Sequence, residues 1–535
     1  MTPGPMTPGM TAAQPRPATG SRRAGLAGLG VIVLGWEALG HLLGGTFLLA
    51  PPSAVVGYLV ENHALMGRAL AATLTNALAG FVLGNLAAIA LAALALIWPA
   101  AQRVVTGVAL VIFCLPLVAT GPILRVLMGP GDGPQIVLAA LAVYYTTLIP
   151  LLVGLRAAPS SWFDLVRSYG RGRLAALVHV RMRAALPYLF AGLQIAAPAA
   201  ILGAMVGEFT GAERGIGVLT VRAMRGLDVE MTWAIATLAT GVAVMAYLGI
   251  GLLARRVLTD APPMILAPPA EPRGRSAGLG AALLGAVSVL AVVVLLWGGG
   301  LALFGVNPFF AKGPEDVLAA LFWQPDAAQT RATLGEALVE TGVLLIPGYL
   351  AGLIAGAGLA IAFTLLPRLA ITAMPLAIAL RSVPIVTTAP LIVLMLGRGA
   401  VGTVALVAVM VFFPTLVACL HGLRQTPGQV TDVFDSYAAG PLQRLVRLQI
   451  PAMLPAFFAA ARMAVPAAVL AVTVVEWLAT GIGVGTLMAL SASVSDHDML
   501  WSAVALVAAL SALGYAAVGA VEAKVLHIYA PEQSR

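Results

Sequence analysis

The chain has 535 residues, of which 60% are hydrophobic and only 10% are charged, and its mean hydropathy is +0.98. This composition excludes an ordinary soluble domain and is typical of a membrane protein. The formal net charge of +8 comes almost wholly from arginine, because Lys312 and Lys524 are the only lysines. The arginines cluster between apolar stretches, so this charge indicates membrane orientation and not nucleic-acid binding.

Twelve apolar stretches follow a Pro-, Thr- and Gly-rich beginning, residues 1–22, which is predicted to be a disordered cytoplasmic N-terminus. Each stretch is near the roughly 20 residues that a helix needs to cross about 30 Å of hydrocarbon. The spans predicted in the first repeat (23–256) are 24–44, 70–97, 104–127, 135–155, 187–210 and 231–254. A Pro-rich cytoplasmic linker is predicted at 257–276. The second repeat (277–527) has predicted spans at 277–303, 338–366, 371–396, 401–422, 455–479 and 499–523, followed by a cytoplasmic tail, 528–535.

The two sets of spans are copies of one sequence pattern. The matching positions lie 268 residues apart: Thr73 and Thr341, Gly84 and Gly352, Pro116 and Pro384, Glu208 and Glu476, Trp233 and Trp501. A shared register over this distance predicts two tandem copies of one fold, with a solute pathway between them.

Arginine placement sets the predicted orientation. The loop at 156–186 contains six arginines and its counterpart contains Arg424, Arg444 and Arg447, whereas residues 481–498 contain no Lys or Arg. By the positive-inside rule, the arginine-rich loops are cytoplasmic, and both chain termini are then cytoplasmic.

The arginine-rich loops contain the most informative local pattern. Apolar residues follow the spacing of an amphipathic helix at Trp162, Leu165, Val166 and Tyr169 in the first half, and at Val430, Val433, Phe434 and Tyr437 in the second. Asp164 and Asp432 lie near the predicted helix start, where a carboxylate is favourable, and Gly170 with Gly172, or Gly440, follows as a helix breaker. Such a helix either lies on the membrane surface or docks into a groove of a cytoplasmic partner.

At this point the chain resembles a known family. The sequence Asp164-Leu-Val-Arg-Ser-Tyr-Gly170, followed by Ala185-Leu186-Pro187, is similar to the EAA loop of bacterial ABC-importer permeases, most of all to the taurine, aliphatic sulfonate and nitrate branch. Further elements of that branch recur in both halves: Pro116-(x5)-Pro122, Glu208-Phe209 with Gly215-Ile216-Gly217, Pro384-(x5)-Pro390, and Glu476-Trp477 with Gly483-Val484-Gly485. The resemblance covers nearly all of both halves.

The resemblance implies an all-α fold, with about twelve transmembrane helices in a parallel tandem 6+6 repeat of the type I permease fold. It implies a multi-pass protein of the bacterial inner membrane that takes up a small anionic or polar solute. Its partners would be two cytoplasmic ABC ATPase subunits and a periplasmic solute-binding protein. ATP would be used by those partner subunits, and this chain would bind no cofactor and be no enzyme.

The two halves depart from the family pattern unequally. The family glycine is Gly170 in the first loop but Ala438 in the second, and Gln194 stands where the second half has the family's Arg462. We expect from this that the two loops dock unequally.

Two further sets of residues are candidates inside the bilayer. The proline-broken third spans carry the first set, namely Pro116, Thr120, Pro122, Pro384, Thr387, Thr388 and Pro390, which either line the pathway or, for the threonines, bond to their own helix. Glu208 and Glu476 close the fifth spans. Because intramembrane carboxylates are costly, they either brace an outer gate or are satisfied by backbone donors at a helix end.

No sequence pattern for catalysis or metal binding is present. Neither lysine lies in the Gly-Lys-Ser/Thr setting of a P-loop, and the six histidines show no metal-ligand spacing. An ion-coupled secondary transporter can also have two six-helix halves and remains the alternative function. A membrane-embedded scaffold is a third, which the proline-broken spans disfavour.

Overall fold

The computed structural model describes residues 30, 33–43, 49–258, 279–366, 389, 391–392, 395–397, 399–424, 426 and 428–529, and every regular element among them is helical. Nine helices in this part of the chain are long and apolar enough to cross a membrane. A bent helix pair makes a tenth if it is counted as one span. The predicted all-α membrane fold is confirmed. The predicted disordered N-terminus and nearly all of the predicted linker and tail lie outside the described residues.

In the described residues of the first half, nine α-helices follow a helical segment at 33–42. They are α1 (Pro52–Glu61), α2 (His63–Ile97), α3 (Gln102–Phe113), α4 (Leu117–Met128), α5 (Gly133–Gly154), α6 (Ser160–Ser168), α7 (Arg173–Phe209), α8 (Ile216–Gly226) and α9 (Val229–Val257).

The second half repeats this order. Its helices are α10 (Leu279–Phe304), α11 (Pro314–Phe322), α12 (Ala327–Leu365), α13 (Ala400–Arg424), α14 (Gly428–Ser436), α15 (Pro441–Leu478), α16 (Gly483–Ser493) and α17 (His497–Tyr529). The counterparts of α3 and α4 fall in a stretch of which only short pieces are described. Pro384, Thr387, Thr388 and Pro390 lie outside the described residues.

Several helices extend further than their apolar stretches. α7 begins at Arg173 and α15 at Pro441, each 14 residues before the predicted span. Hydropathy marks only the segment inside hydrocarbon, whereas backbone hydrogen bonds continue the helix into the polar zone. Each extension contains a five-residue π segment at the same register, Leu177–Arg181 and Leu445–Gln449. The short helices α1, α8, α11 and α16 were not predicted, because they are too short to give a spanning signal.

The predicted third span of the first half, 104–127, is not one continuous helix. The chain bends by 92° between Pro99–Phe113 and Leu117–Met128. Pro116 is the N-cap of α4 and has no N–H to continue the helix of α3. The two short helices are therefore a broken span or a re-entrant segment.

Close helix contacts build the core of each half. α5 packs against both α2 and α7, and α13 packs in the same way against α12 and α15. A Cβ placed on Gly84 of α2 would lie 2.6 Å from the carbonyl oxygen of Ala140, and one on Gly352 would lie 2.6 Å from that of Ala408. Only glycine permits this approach. Helices in a membrane associate through close van der Waals contact at small residues, because the hydrophobic effect does not favour helix–helix contact over contact with lipid tails.

The two halves share a common core. α3 of the first half packs against α10 of the second, where a Cβ on Gly107 would lie 2.5 Å from a methyl group of Val289. α4 contacts α15, α16 and α17. The repeats are thus interlocked through α3, α4 and α10.

The repeat register changes before Thr73. In each half a tryptophan of the first helix packs on the tryptophan of the last, Trp36 on Trp233 and Trp297 on Trp501, with ring centroids 5.4 and 5.7 Å apart. The indole N–H groups of Trp36 and Trp297 donate to the carbonyls of Ala50 and Lys312. Trp297 is 261 residues after Trp36, so the 268-residue register begins only after the connection between α11 and α12.

We expect Gly352→Leu to destabilise the protein by about 1–3 kcal/mol, the usual cost of overpacking a core. Gly342→Leu in the same helix is the matched control, because a Cβ on Gly342 has no neighbour within 4 Å. Thermal unfolding in detergent measures both variants. Equal melting temperatures for the two would contradict the close contact between α12 and α13.

Candidate functional site

The amphipathic helix predicted in the first arginine-rich loop is α6, and its apolar stripe is exposed. Leu165 is 57% exposed and Tyr169 is 74% exposed, with Trp162 exposed beside them. Asp164 forms an ion pair with Arg167 at 3.7 Å, and both side chains are exposed. The helix makes only slight contact with the start of α7. No described residue of this chain therefore covers the stripe.

The second loop repeats this arrangement in α14. Val433 is 53% exposed and Tyr437 is 82% exposed, whereas Phe434 is half-buried. Asp432 is exposed at the position equivalent to Asp164. We call α6 and α14 the docking helices. Both lie at the end of the bundle that holds the arginine-rich loops, which we call the basic end.

Each docking helix ends in a residue with left-handed backbone. Gly170 has φ = 66° and Ala438, at the equivalent position, has φ = 50°. Gly172 and Gly440 then have extended backbone and begin the next helix, α7 or α15. Glycine adopts the left-handed conformation freely, but alanine does so at a cost of roughly 1–2 kcal/mol. The second turn keeps the shape of the first in spite of its unfavourable residue.

Glu208 and Glu476 lie at the opposite end of α7 and α15 and are only 2% and 1% exposed. Glu208 Oε2 accepts a hydrogen bond from the N–H of Gly217 at 2.6 Å, and Glu476 Oε2 accepts one from Gly485 at 2.8 Å. Each carboxyl group thereby holds the start of a short helix, α8 or α16, against the long helix that precedes it.

A buried threonine completes this arrangement. The N–H of Ile216 donates to Thr73 Oγ1 at 2.8 Å, and that of Val484 donates to Thr341 Oγ1 at 2.9 Å. Three helices are thus joined in each half: α2, α7 and α8, or α12, α15 and α16. We call each set of Thr, Glu and backbone N–H groups a latch. Sequence reasoning used the threonines only as repeat markers, and their recurrence in one register with the buried glutamates was the available signal.

The glycines of the two Gly-x-Gly motifs are required by the latches. A Cβ on Gly215 would lie 2.1 Å from the carboxyl carbon of Glu208, and one on Gly483 would lie 2.2 Å from Glu476 Oε1. Both glycines also have positive φ, 129° and 84°. The motif therefore makes room for the carboxyl group.

The second latch has one more carboxylate than the first. Glu340 Oε2 accepts from the N–H of Gly483 at 2.8 Å, and Ala72 occupies the equivalent place in the first half. The second short helix is therefore tied by an additional hydrogen bond.

The described pathway candidates lie at the bend between α3 and α4. Thr120 is buried, and its hydroxyl donates to the carbonyl of Pro116 at 3.0 Å, within its own helix. Pro122 lies inside α4. The structure thus brings Pro116, Thr120 and Pro122 together where the first half contacts the second, and α4 approaches the latch end, because a Cβ on Gly121 would lie 2.4 Å from Thr210 Cγ2.

Arg462 marks a second difference between the halves. Its guanidinium lies 3.0 Å from Glu522 Oε2 and 5.6 Å from the ring centroid of Tyr515. At the equivalent positions the first half has Gln194 and Ala254. The ion pair joins α15 to α17 in the second half, and its two charges are absent from the first.

In the described part of the chain, no group of three or more His, Cys, Asp or Glu side chains could hold a metal ion. Some charged side chains form ion pairs, such as Arg462 with Glu522, and others accept hydrogen bonds at a helix start, as Glu208 and Glu476 do. The arrangement places exposed apolar helices at one end of the bundle and carboxyl latches at the other.

We expect Glu208→Gln to keep most of the stability, because the amide oxygen still accepts from Gly217. Glu208→Ala should cost about 1–3 kcal/mol, since it leaves a buried backbone N–H without its acceptor. Thermal unfolding of the two variants in detergent is the test. A glutamine variant as unstable as the alanine variant would mean that the carboxylate charge, and not the acceptor oxygen, holds the short helix.

Ala438→Gly should stabilise the exit turn of the second docking helix by up to about 1 kcal/mol, and Gly170→Ala should destabilise the first turn by a similar amount. The glycine variant also gains unfolded-state entropy, which reduces the benefit. Hydrogen exchange of the two loops measures the opening of each turn. The exchange rates of the two loops should change in opposite directions. Changes in the same direction would contradict the left-handed backbone at both positions 170 and 438.

Known proteins with sequences similar to this chain include several transport permeases. The model of the family described as binding-protein-dependent transport system inner membrane component matches residues 80–259 and again 348–527. An ABC transporter permease of Haemophilus influenzae is 28% identical over 233 residues, which are 43% of this chain and 94% of the relative. The formylaminopyrimidine transport permease ThiX of Halalkalibacterium halodurans is 32% identical over 28% of this chain and 59% of its own length.

The aliphatic sulfonates transport permease SsuC of Escherichia coli is 27% identical over 26% of this chain and 50% of its own length, in agreement with the branch indicated by the motifs. The chain thus spans nearly all of the first relative but only about half of the other two. No solved structure matches. With two family units that together cover most of its length, the chain belongs to the family of binding-protein-dependent transport system inner membrane components.

Proposed function

We propose that this chain supplies both transmembrane units of an ABC-importer permease, fused in one polypeptide. The docking helices α6 and α14 bind two separate cytoplasmic ATPase subunits, and a periplasmic binding protein delivers solute to the latch end. The protein then lies in the bacterial inner membrane, with its basic end and both termini in the cytoplasm. This orientation agrees with the positive-inside rule.

The observation that carries the proposal is the pair of uncovered apolar stripes. Trp162, Leu165 and Tyr169 in α6, and Val433 and Tyr437 in α14, are exposed on short helices at matching positions. A contiguous exposed apolar face marks an interaction surface, and an amphipathic helix is suited to a groove on a partner. Two equivalent stripes favour two equivalent partners.

The fold supplies a direct mechanical connection between the two ends. α7 runs from Arg173, directly after the first docking helix, to Glu208 and its latch, and α15 repeats this path. A helix of this length spans about 55 Å at 1.5 Å per residue. Movement of a docking helix by the ATPases is therefore transmitted along α7 or α15 to the latch end. ATP binding would shift the bundle between inward- and outward-facing states through the different contacts that it makes in each state.

We propose a small polar or anionic solute. The relatives named for formylaminopyrimidine and for aliphatic sulfonates support this class. Binding-protein specificity would select the solute, and the bend between α3 and α4 would form part of its pathway. Uptake of a labelled aminopyrimidine and of an alkyl sulfonate into proteoliposomes of the whole complex would identify which of the two is carried.

Substituting the stripe is the direct test. The tagged chain is purified in mild detergent from its native membranes, and mass spectrometry gives the identity and stoichiometry of the proteins that co-elute. Two ATPase copies per chain are expected. Leu165→Asp and Val433→Asp together should abolish this co-elution, because they place charge in the apolar contact.

The matched control is Ser161→Asp together with Gln429→Asp. These exposed positions lie on the same helices but outside the stripes, so the control adds the same charge and should retain the ATPases. A wild-type chain that elutes alone, under conditions that preserve other transporter complexes, would contradict the proposal and favour an ion-coupled transporter.

A further inference from the structure

The two docking helices differ in charge although their apolar stripes match. Residues 160–183 contain Asp164 and five arginines (Arg167, Arg171, Arg173, Arg181 and Arg183), a formal charge of +4 with His179 neutral. Residues 428–451 contain Asp432, Asp435, Arg444 and Arg447, a formal charge of zero. The difference between the two segments is four charges.

The difference is concentrated at and directly beyond the docking helices. Arg167 of α6 occupies the position that Asp435 occupies in α14, which is a reversal of charge at one register. Arg171 and Arg173 follow the first stripe in its exit turn, and Ala439 and Pro441 take their places in the second.

These charges are free to act on a partner at the first helix but not at the second. Arg167, Arg171 and Arg173 are all exposed. Among the described residues, Arg167 is paired only with the exposed Asp164 at 3.7 Å, a contact of small energy. In the second loop, Asp435 is paired with the half-buried Arg444, which compensates its charge. A positive field therefore surrounds the first stripe only.

A fused chain can maintain such a difference. A permease assembled from two copies of one chain must present two identical docking helices, whereas here the residues at 167 and 435 are encoded separately. The Haemophilus influenzae relative corresponds to one unit of this chain along 94% of its length. Fusion thus allows each half to set its own affinity for an ATPase.

We propose that both docking helices bind the same kind of ATPase groove, that this groove has an acidic rim, and that the first docking helix binds it more tightly than the second. This inference rests on the proposed function. The apolar stripe supplies the shared contact, and the arginines of residues 160–173 add attraction at the first site only. ATPase loading is then ordered, with the first site filled at lower ATPase concentration.

The test exchanges charges between the two helices. Variant one carries Arg167→Asp and Arg171→Ala, and variant two carries Asp435→Arg and Ala439→Arg. Every new residue is the one that the other half already has at the equivalent position. Because Asp435→Arg would place a second guanidinium group beside Arg444, variant two also carries Arg444→Ala, the residue of the first half at position 176. The detergent-purified full chain is titrated with its purified ATPase, and site occupancy is read by native mass spectrometry.

In variant one, the affinity of the first site for the ATPase should fall roughly fivefold or more, the effect of reversing exposed charge contacts of this kind. Variant two should gain affinity at the second site by a similar factor. Both differences should shrink between about 0.1 M and about 1 M salt, where the Debye length falls from about 10 Å to about 3 Å.

Three outcomes would overturn the inference. Two equal sites in the wild-type chain would remove the difference in affinity. Weaker second-site binding in variant two would indicate two dissimilar grooves. Charge effects that occur only in nanodiscs with anionic lipid, and not in detergent, would assign the arginines to the membrane surface. Failure of the proposed function is distinct, because the wild-type chain would then bind no ATPase at all.

Discussion

The close approach of three helices in each half is the constraint on which the rest of the structure depends. α5 lies between α2 and α7 at distances that only glycine allows at positions such as Gly84, and α13 repeats this with Gly352. In hydrocarbon the hydrophobic effect does not drive helix association, so short-range dispersion contacts hold the helices together. α7 and α15 belong to these tight groups, and each is a continuous helix between a docking helix at one end and a latch at the other.

The latches provide hydrogen-bond acceptors for backbone N–H groups that are buried at the start of the short helices. A short helix such as α8 begins with N–H groups that have no partner within the helix, and here that beginning is buried. Glu208 and Thr73 accept two of these N–H groups, and Glu476 and Thr341 do the same in the second half. The carboxyl group thus serves a backbone need at the end of a membrane helix. A charged group so placed is costly to bury, and its hydrogen bonds offset part of this cost.

Sequence reasoning predicted what depends on periodicity and repetition. Spanning helices, the tandem repeat, the amphipathic helices of both arginine-rich loops and the position of Glu208 and Glu476 at the ends of the fifth spans follow from hydropathy, spacing and a common register. Features that depend on tertiary contact could not be read in this way. The short helices α8 and α16 have no spanning signal, the hydrogen bond from Ile216 to Thr73 joins residues 143 positions apart in the chain, and the 92° bend after α3 is an angle that Pro116 permits but does not specify. The register change between Trp36 and Trp297 was hidden because the matching residues are few.

The contact between α3 and α10 makes the assembly of the first repeat depend on a helix of the second. α3 is synthesised with the first repeat, yet the surface that covers it near Gly107 belongs to α10, which begins beyond the linker. The first repeat is therefore synthesised before the helix that packs on one of its apolar faces. Lipid must cover that face until α10 is inserted. Biogenesis of the two halves is thus sequential but not independent. Splitting the chain at the linker would turn an intramolecular step into a bimolecular encounter in the bilayer, with assembly then dependent on the concentration of both fragments.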